Sequence, residues 1–379
     1  MYFFRSILTC SDRGLSLSTV NPVGVNQDIC GKCRMFYMIY NITSHTIFMV
    51  PLYRHTRSPW WMMSAISRFN DSIVKTHHSF ILTGIPGMEE HNSWMAFPLG
   101  LLYVLTLLGN VTILLVIKTE QSLHEPMYIF LFMLACSDLG LAMTTMPTML
   151  SVYWFDSREI TFNACIIQMF FIHIFQWIES GILVAMALDR FIAISYPLRY
   201  TTLLPNSAIG KIGITVFFRG FCVCFPGPFL IKRLPFCKSN VLSHSYCLHQ
   251  DAMNLACADF KVNMLFGLIV VICTLGLDVV IILVSYVLIL KTVLSIASHE
   301  ERLKTLNTCV SHVCAILIFY VPMIGVTVVH RFGRSLSPIV HMLMANIYII
   351  VPPLLNPIVY SVKTRKIQGA GYKALNSLG

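Results

Sequence analysis

Seven apolar stretches, each near the roughly 20 residues that cross a lipid bilayer as a helix, limit what this chain can become. They cover residues 94–117, 126–150, 162–194, 208–230, 263–290, 305–329 and 338–361. In hydrocarbon every backbone N–H and C=O needs an internal partner, so such stretches fold as helices. Composition agrees. Of 379 residues 56% are hydrophobic and 12% charged, against about 25% charged in a soluble domain. That balance argues against a soluble enzyme, which could not cover its water-facing surface, and excludes an intrinsically disordered chain. The net charge of +10 is no sign of nucleic acid, because the basic residues are scattered singly between apolar runs. Lys and Arg collect in short loops beside anionic membrane lipid. The expected fold is an all-α, multi-pass membrane protein, a seven-transmembrane helix bundle.

Basic residues orient the bundle. With the N-terminus outside, the inner side holds Lys118, Arg190, Arg199, Lys211, Lys291, Arg302, Lys304, Lys363, Arg365, Lys366 and Lys373. The outer loops hold Arg158, Lys232, Arg233, Lys238, Lys261, Arg331 and Arg334. Eleven against seven favours the N-terminus outside. Asn70-Asp71-Ser72 is a glycosylation sequon, usable on that outer side. The expected organisation is an N-terminal extension over 1–62, disordered or not translated, then an outer tail over 63–93. A seven-helix domain over 94–362 and a short amphipathic cytoplasmic tail over 363–379 follow. Within the extension, Met35 to Tyr53 is broken by Asn41, Thr43, Ser44, His45 and Thr46, so it makes a poor spanning helix.

Cys165 opens the third stretch and Asp189-Arg190-Phe191 closes it 24 residues later. At 1.5 Å per residue that is about 36 Å, which sets them at opposite membrane faces. The long loop between the fourth and fifth stretches carries Cys237, Cys247 and Cys257. Four cysteines on an oxidising side suggest two disulfides, with three connectivities open. Zinc is the second reading, since His244 and His249 lie among them. No cofactor or metal is otherwise indicated.

Polar residues inside a membrane are costly and face the bundle interior. Here they include Asn110, Asp138, Glu179, Arg219, Asp278 and Asn356. Asn110, Asp138, Glu179 and Asn356 form the expected polar core, and Asn356 is followed by Pro357, which permits a bend. Arg219 lies eight residues from Lys211, about 12 Å deeper, too deep to snorkel comfortably. Asp189 and Arg190, a charged pair at the inner end of an apolar helix, are the expected switch, the carboxylate holding the guanidinium at rest.

The strings Leu123-His124-Glu125-Pro126-Met127-Tyr128, Met186-Ala187-Leu188-Asp189-Arg190-Phe191-Ile192-Ala193-Ile194 and Pro197-Leu198-Arg199-Tyr200 resemble the olfactory receptor signature. So do Leu134 with Asp138, Ser285-Tyr286, Thr308-Cys309-Val310-Ser311-His312 and Pro353-Leu354-Leu355-Asn356-Pro357. Phe80-Ile81-Leu82-Thr83-Gly84-Ile85-Pro86-Gly87 and the loop from His249-Gln250-Asp251 through Leu255-Ala256-Cys257-Ala258-Asp259 look like the class I, fish-like branch. The match spans about residues 80 to 367. Phe191 stands where Tyr is common, Glu125 stands where Thr is usual, and 1–62 has no counterpart.

The resemblance implies a rhodopsin-like G-protein-coupled receptor that binds an odorant and activates a heterotrimeric G protein of the stimulatory olfactory type, raising cyclic AMP. It implies the pairs Cys165–Cys247 and Cys237–Cys257, clamping the long loop as a lid. It also implies Tyr286 and Tyr360 as hydroxyl partners of Arg190 in the active state. The ligand site expected in the outer half comprises His173, His249, Gln250, Thr327 and Arg331, with Arg331 suited to one planar carboxylate. Phe170, Leu265, Ile269 and Ile324 are the expected walls for an aliphatic tail. The alternatives are a receptor for a small metabolite outside the nose and, more remotely, a transporter, although no inverted repeat or ring of like charge is visible. An enzyme is not expected: the spans show no HExxH set or comparable constellation.

Overall fold

The computed structural model describes residues 2–10, 33–41, 46–51, 78–84, 92–237, 239–333 and 336–363. The chain divides into two compact units, Met1–Val74 and Lys75–Gly379. In the first, β1 (Tyr2–Cys10), β2 (Cys33–Asn41) and β3 (Thr46–Pro51) form an antiparallel sheet, with Tyr2 opposite Asn41 and Phe36 opposite Pro51. Where the sequence suggests no ordered structure in 1–62, the described backbone is thus extended. These runs are rich in Tyr, Phe, Ile and Thr, which suit strands. Asn70 and the sequon at Asn41-Ile42-Thr43 involve residues outside the described ones. So do 364–379, the bulk of the expected amphipathic tail.

The second unit holds seven helices long and apolar enough to span a bilayer. They are α1 (Asn92–Thr119), α2 (Pro126–Trp154), α3 (Phe162–Ser195), α4 (Asn206–Lys232), α5 (Lys261–Leu294), α6 (His299–Phe332) and α7 (Pro338–Lys363). Local chemistry sets several ends. Pro126 starts α2 where no N–H is needed. Thr161 and Ser298 cap α3 and α6 by accepting from Ala164 N–H and Glu301 N–H. Glu300 and Glu301 reinforce the latter at the positive helix end.

The third helix is the hub: it is mostly buried inside the protein, whereas little of α5 is. One face of α5 lies on the outside of the bundle, with Leu277, Val280, Leu283, Val284 and Val287 exposed. Tight approaches depend on missing side chains. A β-carbon on Gly109 would sit 2.9 Å from Pro357, so α1 and α7 pack closely there. Small residues serve this role where lipid gives helices no hydrophobic reason to associate. A π-helical segment, Val271–Leu275, interrupts α5, and two of its residues, Val271 and Leu275, border a cavity between the helices. Such widened turns gather at functional sites.

Outside the helices, β4 (Ser79–Leu82) pairs antiparallel with β5 (Glu159–Thr161) and parallel with β6 (Val241–Leu242). Phe80, Leu82, Phe236 and Leu242 are buried beneath this small sheet. Disulfides Cys165–Cys247 and Cys237–Cys257 lie at the same end, which marks it as the oxidising, outer side.

Candidate functional site

The long loop is tied to the helices at several points. Cys247 is bonded to Cys165 at the start of α3, with Cα atoms 5.5 Å apart, and Cys237 to Cys257, at 5.8 Å. Cys165 and the three loop cysteines are thereby all paired, which removes the thiolate ligands of the zinc reading. Gln168 of α3 accepts from the Cys247 N–H at 2.9 Å and donates to Thr144 C=O and Thr148 Oγ1 of α2 at 2.9 and 2.8 Å. One side chain thus joins two helices to the loop. Tyr246 donates to the Ala345 carbonyl of α7 at 3.0 Å. Asp251 accepts from the Ser243 N–H at 2.5 Å and contacts His244 Nδ1 at 3.0 Å. The loop is a lid pinned to α2, α3 and α7.

Beneath it lies a cavity of about 820 Å³ bordered by α3 to α7 and the lid. His173, His249, Gln250, Thr327 and Arg331 all line it, so the five expected ligand residues share one space. The rings of His173 and His249 lie 5.9 Å apart. Burial pushes the His249 imidazole down to about 3, and the neighbouring His173 adds to the effect; it is held neutral. The Thr327 hydroxyl donates to Met323 C=O within its own helix, leaving its oxygen to accept. Arg331 Nη2 lies 3.9 Å from where a β-carbon on Gly267 would sit, so its guanidinium reaches across towards α5. Arg331 Nε is buried without a hydrogen-bond partner. Among the described lining residues Arg331 is the one Lys or Arg, and none is Asp or Glu.

The apolar wall differs from expectation. Phe170 lines the cavity, but Leu265, Ile269 and Ile324 do not; they are exposed on the outside of the bundle. Met169, Leu275, Met323 and Val326 stand in their place. A helix apolar on every side gives no sequence cue to which face meets lipid.

Below the cavity runs a layer of polar contacts. Arg219 of α4 donates from Nη1 and Nη2 to the two carboxylate oxygens of Asp278 in α5, at 2.6 and 2.7 Å. Ser180 of α3 donates to Asp278 Oδ2 at 2.6 Å and lies 2.9 Å from the Tyr320 hydroxyl of α6. Four helices meet there. Arg219 does not need to reach the inner surface because its charge is answered inside the bundle. Asn110 donates to the Pro353 carbonyl at 2.8 Å, a group in the proline-rich part of α7. Asn356 donates to both oxygens of Asp138, at 3.2 and 3.1 Å. Glu179 is completely buried beside Asp138. The four expected polar-core residues thus link α1, α2, α3 and α7.

At the inner end, Arg190 donates from Nε and Nη2 to Asp189 Oδ2 at 3.0 and 2.6 Å. Tyr200 donates to Asp189 Oδ1 at 2.7 Å. Burial and the adjacent carboxylate push the Tyr200 phenol upward, which keeps it a proton donor. Tyr286 is not on Arg190 here; its hydroxyl lies 2.7 Å from His312 Nδ1 of α6. Tyr360 lies against Met186, its hydroxyl 3.9 Å from the sulfur. Neither Tyr200 nor Gln168 was among the expected site residues. Tyr200 follows the Pro197-Leu198-Arg199 string, but sequence spacing alone does not aim its ring back at Asp189.

Residues 99–377 match the family described as olfactory receptor. The chain is 63% identical over 292 residues to the human protein named Olfactory receptor 51H1, a match covering 77% of this chain and 97% of that one. It is 54% identical over 290 residues to human Olfactory receptor 51G2, covering 76% and 92%. The fold is similar to the crystal structure of squid rhodopsin, with a TM-score of 0.62 at 16% identity, covering 79% of this chain and 91% of that one. Seven spanning helices, a disulfide-pinned lid and these relatives agree: the chain belongs to the olfactory receptor family, in its class I branch, and is a rhodopsin-like, multi-pass receptor of the plasma membrane and not an enzyme.

Proposed function

We propose that this receptor binds a small aliphatic carboxylate, or a similarly polar aliphatic odorant, in the cavity beneath the lid. The observation that carries the reading is Arg331, a cation with an unpartnered buried Nε at a cavity with no acidic residue among its described lining residues. An anion answers that charge, and a carboxylate meets the planar guanidinium bidentately. His173 and the neutral His249, with Gln250 and the accepting Thr327 oxygen, complete the polar end. The apolar wall, from Phe170 through Met323, takes the tail.

Ligand occupancy then biases the polar layer below, and the change is read at the inner face, where Arg190 leaves Asp189 and turns to a heterotrimeric G protein. By family resemblance that partner is the stimulatory olfactory type and the output is cyclic AMP, with Tyr286 and Tyr360 receiving Arg190. A ligand shifts such an equilibrium only by binding one state better than the other. The test is a cyclic AMP screen of straight-chain acids, alcohols and esters in cells with and without a stimulatory G protein. Acids should activate, and only when that G protein is supplied. A response to acids that persists without it would overturn the coupling.

A further inference from the structure

Three imidazoles form a row where the lid meets the outer ends of α6 and α7. The ring centre of His244 in the lid lies 5.7 Å from that of His330 in α6, and His330 lies 5.3 Å from His341 in α7. His330 and His341 line the cavity, as does Arg331, the next residue along α6. On the lid side, Asp251 contacts His244 Nδ1 at 3.0 Å, and the Tyr246 ring lies 6.3 Å from the same imidazole. On the α7 side, the Ser337 carbonyl lies 3.3 Å from His341 Nδ1. Across the cavity, His173 and His249 form a separate ring pair. The row thus has its carboxylate at one end, where Asp251 pairs with His244. His330, in the middle, has an imidazole on either side, and its Nε2 is buried without a hydrogen-bond partner.

We propose that the receptor takes up a proton at His330 when it binds a carboxylate, so that acidity outside the cell sharpens its response to acids. This rests on the reading of Arg331 given above and adds a second, titratable cation to the same cavity. Imidazole is the side chain whose ordinary pKa, about 6.5, lets it change charge in this range. In the empty cavity a proton on His330 has no counter-charge: Arg331 is its neighbour, and Asp251 is already engaged with His244. A ligand carboxylate supplies that counter-charge. The proton comes from the solvent on binding and returns to it on release, and while it is held it makes His330 Nε2 a charged donor facing the cavity. If the ligand favours protonated His330, protonated His330 favours the ligand to the same extent. A neutral alcohol of equal length offers no such charge and gains nothing from the proton.

The experiment is calorimetric titration of the purified full-length receptor with a straight-chain acid and with the alcohol of equal length, from about pH 7.5 to about pH 6, where the acid stays ionised. Affinity is the readout, because stability itself moves with pH. Acid binding to the wild type should tighten about three- to tenfold across that range, within the tenfold per pH unit that one proton allows. Alcohol binding should stay flat. Repeating the acid titration in two buffers of different ionisation enthalpy counts the protons directly, and the count should lie between zero and one and rise as the pH falls. In His330→Gln, which keeps a polar side chain but cannot take the charge, both the pH dependence and the proton count should vanish. A proton count of zero in the wild type would overturn the proposal, and so would a pH dependence shared equally by the alcohol or one that survives in His330→Gln. If His330→Gln does not fold, the wild-type proton count decides by itself. Acid binding that is lost in Arg331→Ala yet shows no proton uptake in the wild type would overturn the role of His330 and leave the carboxylate reading standing. Acid binding untouched by Arg331→Ala would overturn both.

Discussion

Arg219 and Asp278 face each other through two parallel hydrogen bonds of 2.6 and 2.7 Å, one from each terminal guanidinium nitrogen. The carboxylate is wholly buried and the guanidinium mostly so. Ser180 adds a third bond to the carboxylate and passes the connection to Tyr320. This pair fixes α4 against α5 directly beneath the cavity, beside the π-helical segment of α5.

Removing one partner of such a pair leaves an uncompensated buried charge, typically at a cost of about 3–5 kcal/mol. Arg219→Met and Asp278→Leu should each melt at a markedly lower temperature than the wild type and reach the cell surface poorly. The double variant, with no charge left to strand, should recover much of the loss. Thermal melts of the purified receptor check this, and equal melting of all three variants and the wild type would mean the pair is idle.

At the inner face, the Asp189 carboxylate is held from two sides, by Arg190 and by the Tyr200 hydroxyl. Tyr200→Phe removes one charge-assisted hydrogen bond, about 1.5–3 kcal/mol, from the resting arrangement. Ligand-independent cyclic AMP should therefore rise several-fold. Arg190→Ala should abolish signalling at normal surface expression with ligand binding retained. A Tyr200→Phe receptor with unchanged basal output would show that this bond does not restrain the resting state.

His249 gives the lid a pH dependence. Its imidazole is pushed down to about 3 in the folded receptor, against about 6.5 when unfolded. The unfolded chain therefore binds the extra proton between those values, and stability is intact above about pH 6.5 and declines as pH falls towards 3. The slope for one such group is at most about 1.4 kcal/mol per pH unit. Melting temperatures of the ligand-free receptor between pH 7.5 and pH 5 should fall, and His249→Gln should flatten that part of the curve. An identical fall in His249→Gln would assign it to other groups.

The ends of the spans were legible because long apolar runs bounded by polar loops leave little choice: the stretch 126–150 became Pro126–Trp154, and 338–361 became Pro338–Lys363. The polar ends of the site were legible for a related reason, since His173, Thr327 and Arg331 are conspicuous in or beside apolar helices. Helix phase was not legible. Leu265, Ile269 and Ile324 face outward, and nothing in their surroundings distinguishes a lipid-facing Leu from a cavity-facing one. Pairings across the bundle were hidden as well. Arg219 and Asp278 are 59 residues apart, and Gln168 and Cys247 are 79 apart; each is visible alone, but the partner is chosen by packing.

The sequon at Asn70 lies in the tail that the balance of basic residues predicts to be outside. It should carry an N-linked glycan, whereas Asn110-Val111-Thr112, inside α1, should not. Glycosidase treatment should shift the mobility of a chain started at Met63, and Asn70→Gln in that chain should abolish the shift. A shift that persists would place the glycan elsewhere.

If Arg331 holds a ligand carboxylate, the affinities of an acid and of the alcohol of equal chain length for wild type, Arg331→Lys and Arg331→Ala should part in a defined way. A charge-assisted bidentate pair lost from a largely enclosed site should weaken acid binding by about 1.5–3 kcal/mol, roughly ten- to more than a hundredfold. Arg331→Lys should recover part of that, because the charge returns without the planar fork. The alcohol should change little in either variant. Acid binding that is unaltered in Arg331→Ala, or alcohols that bind wild type better than acids, would show that Arg331 does not hold a carboxylate.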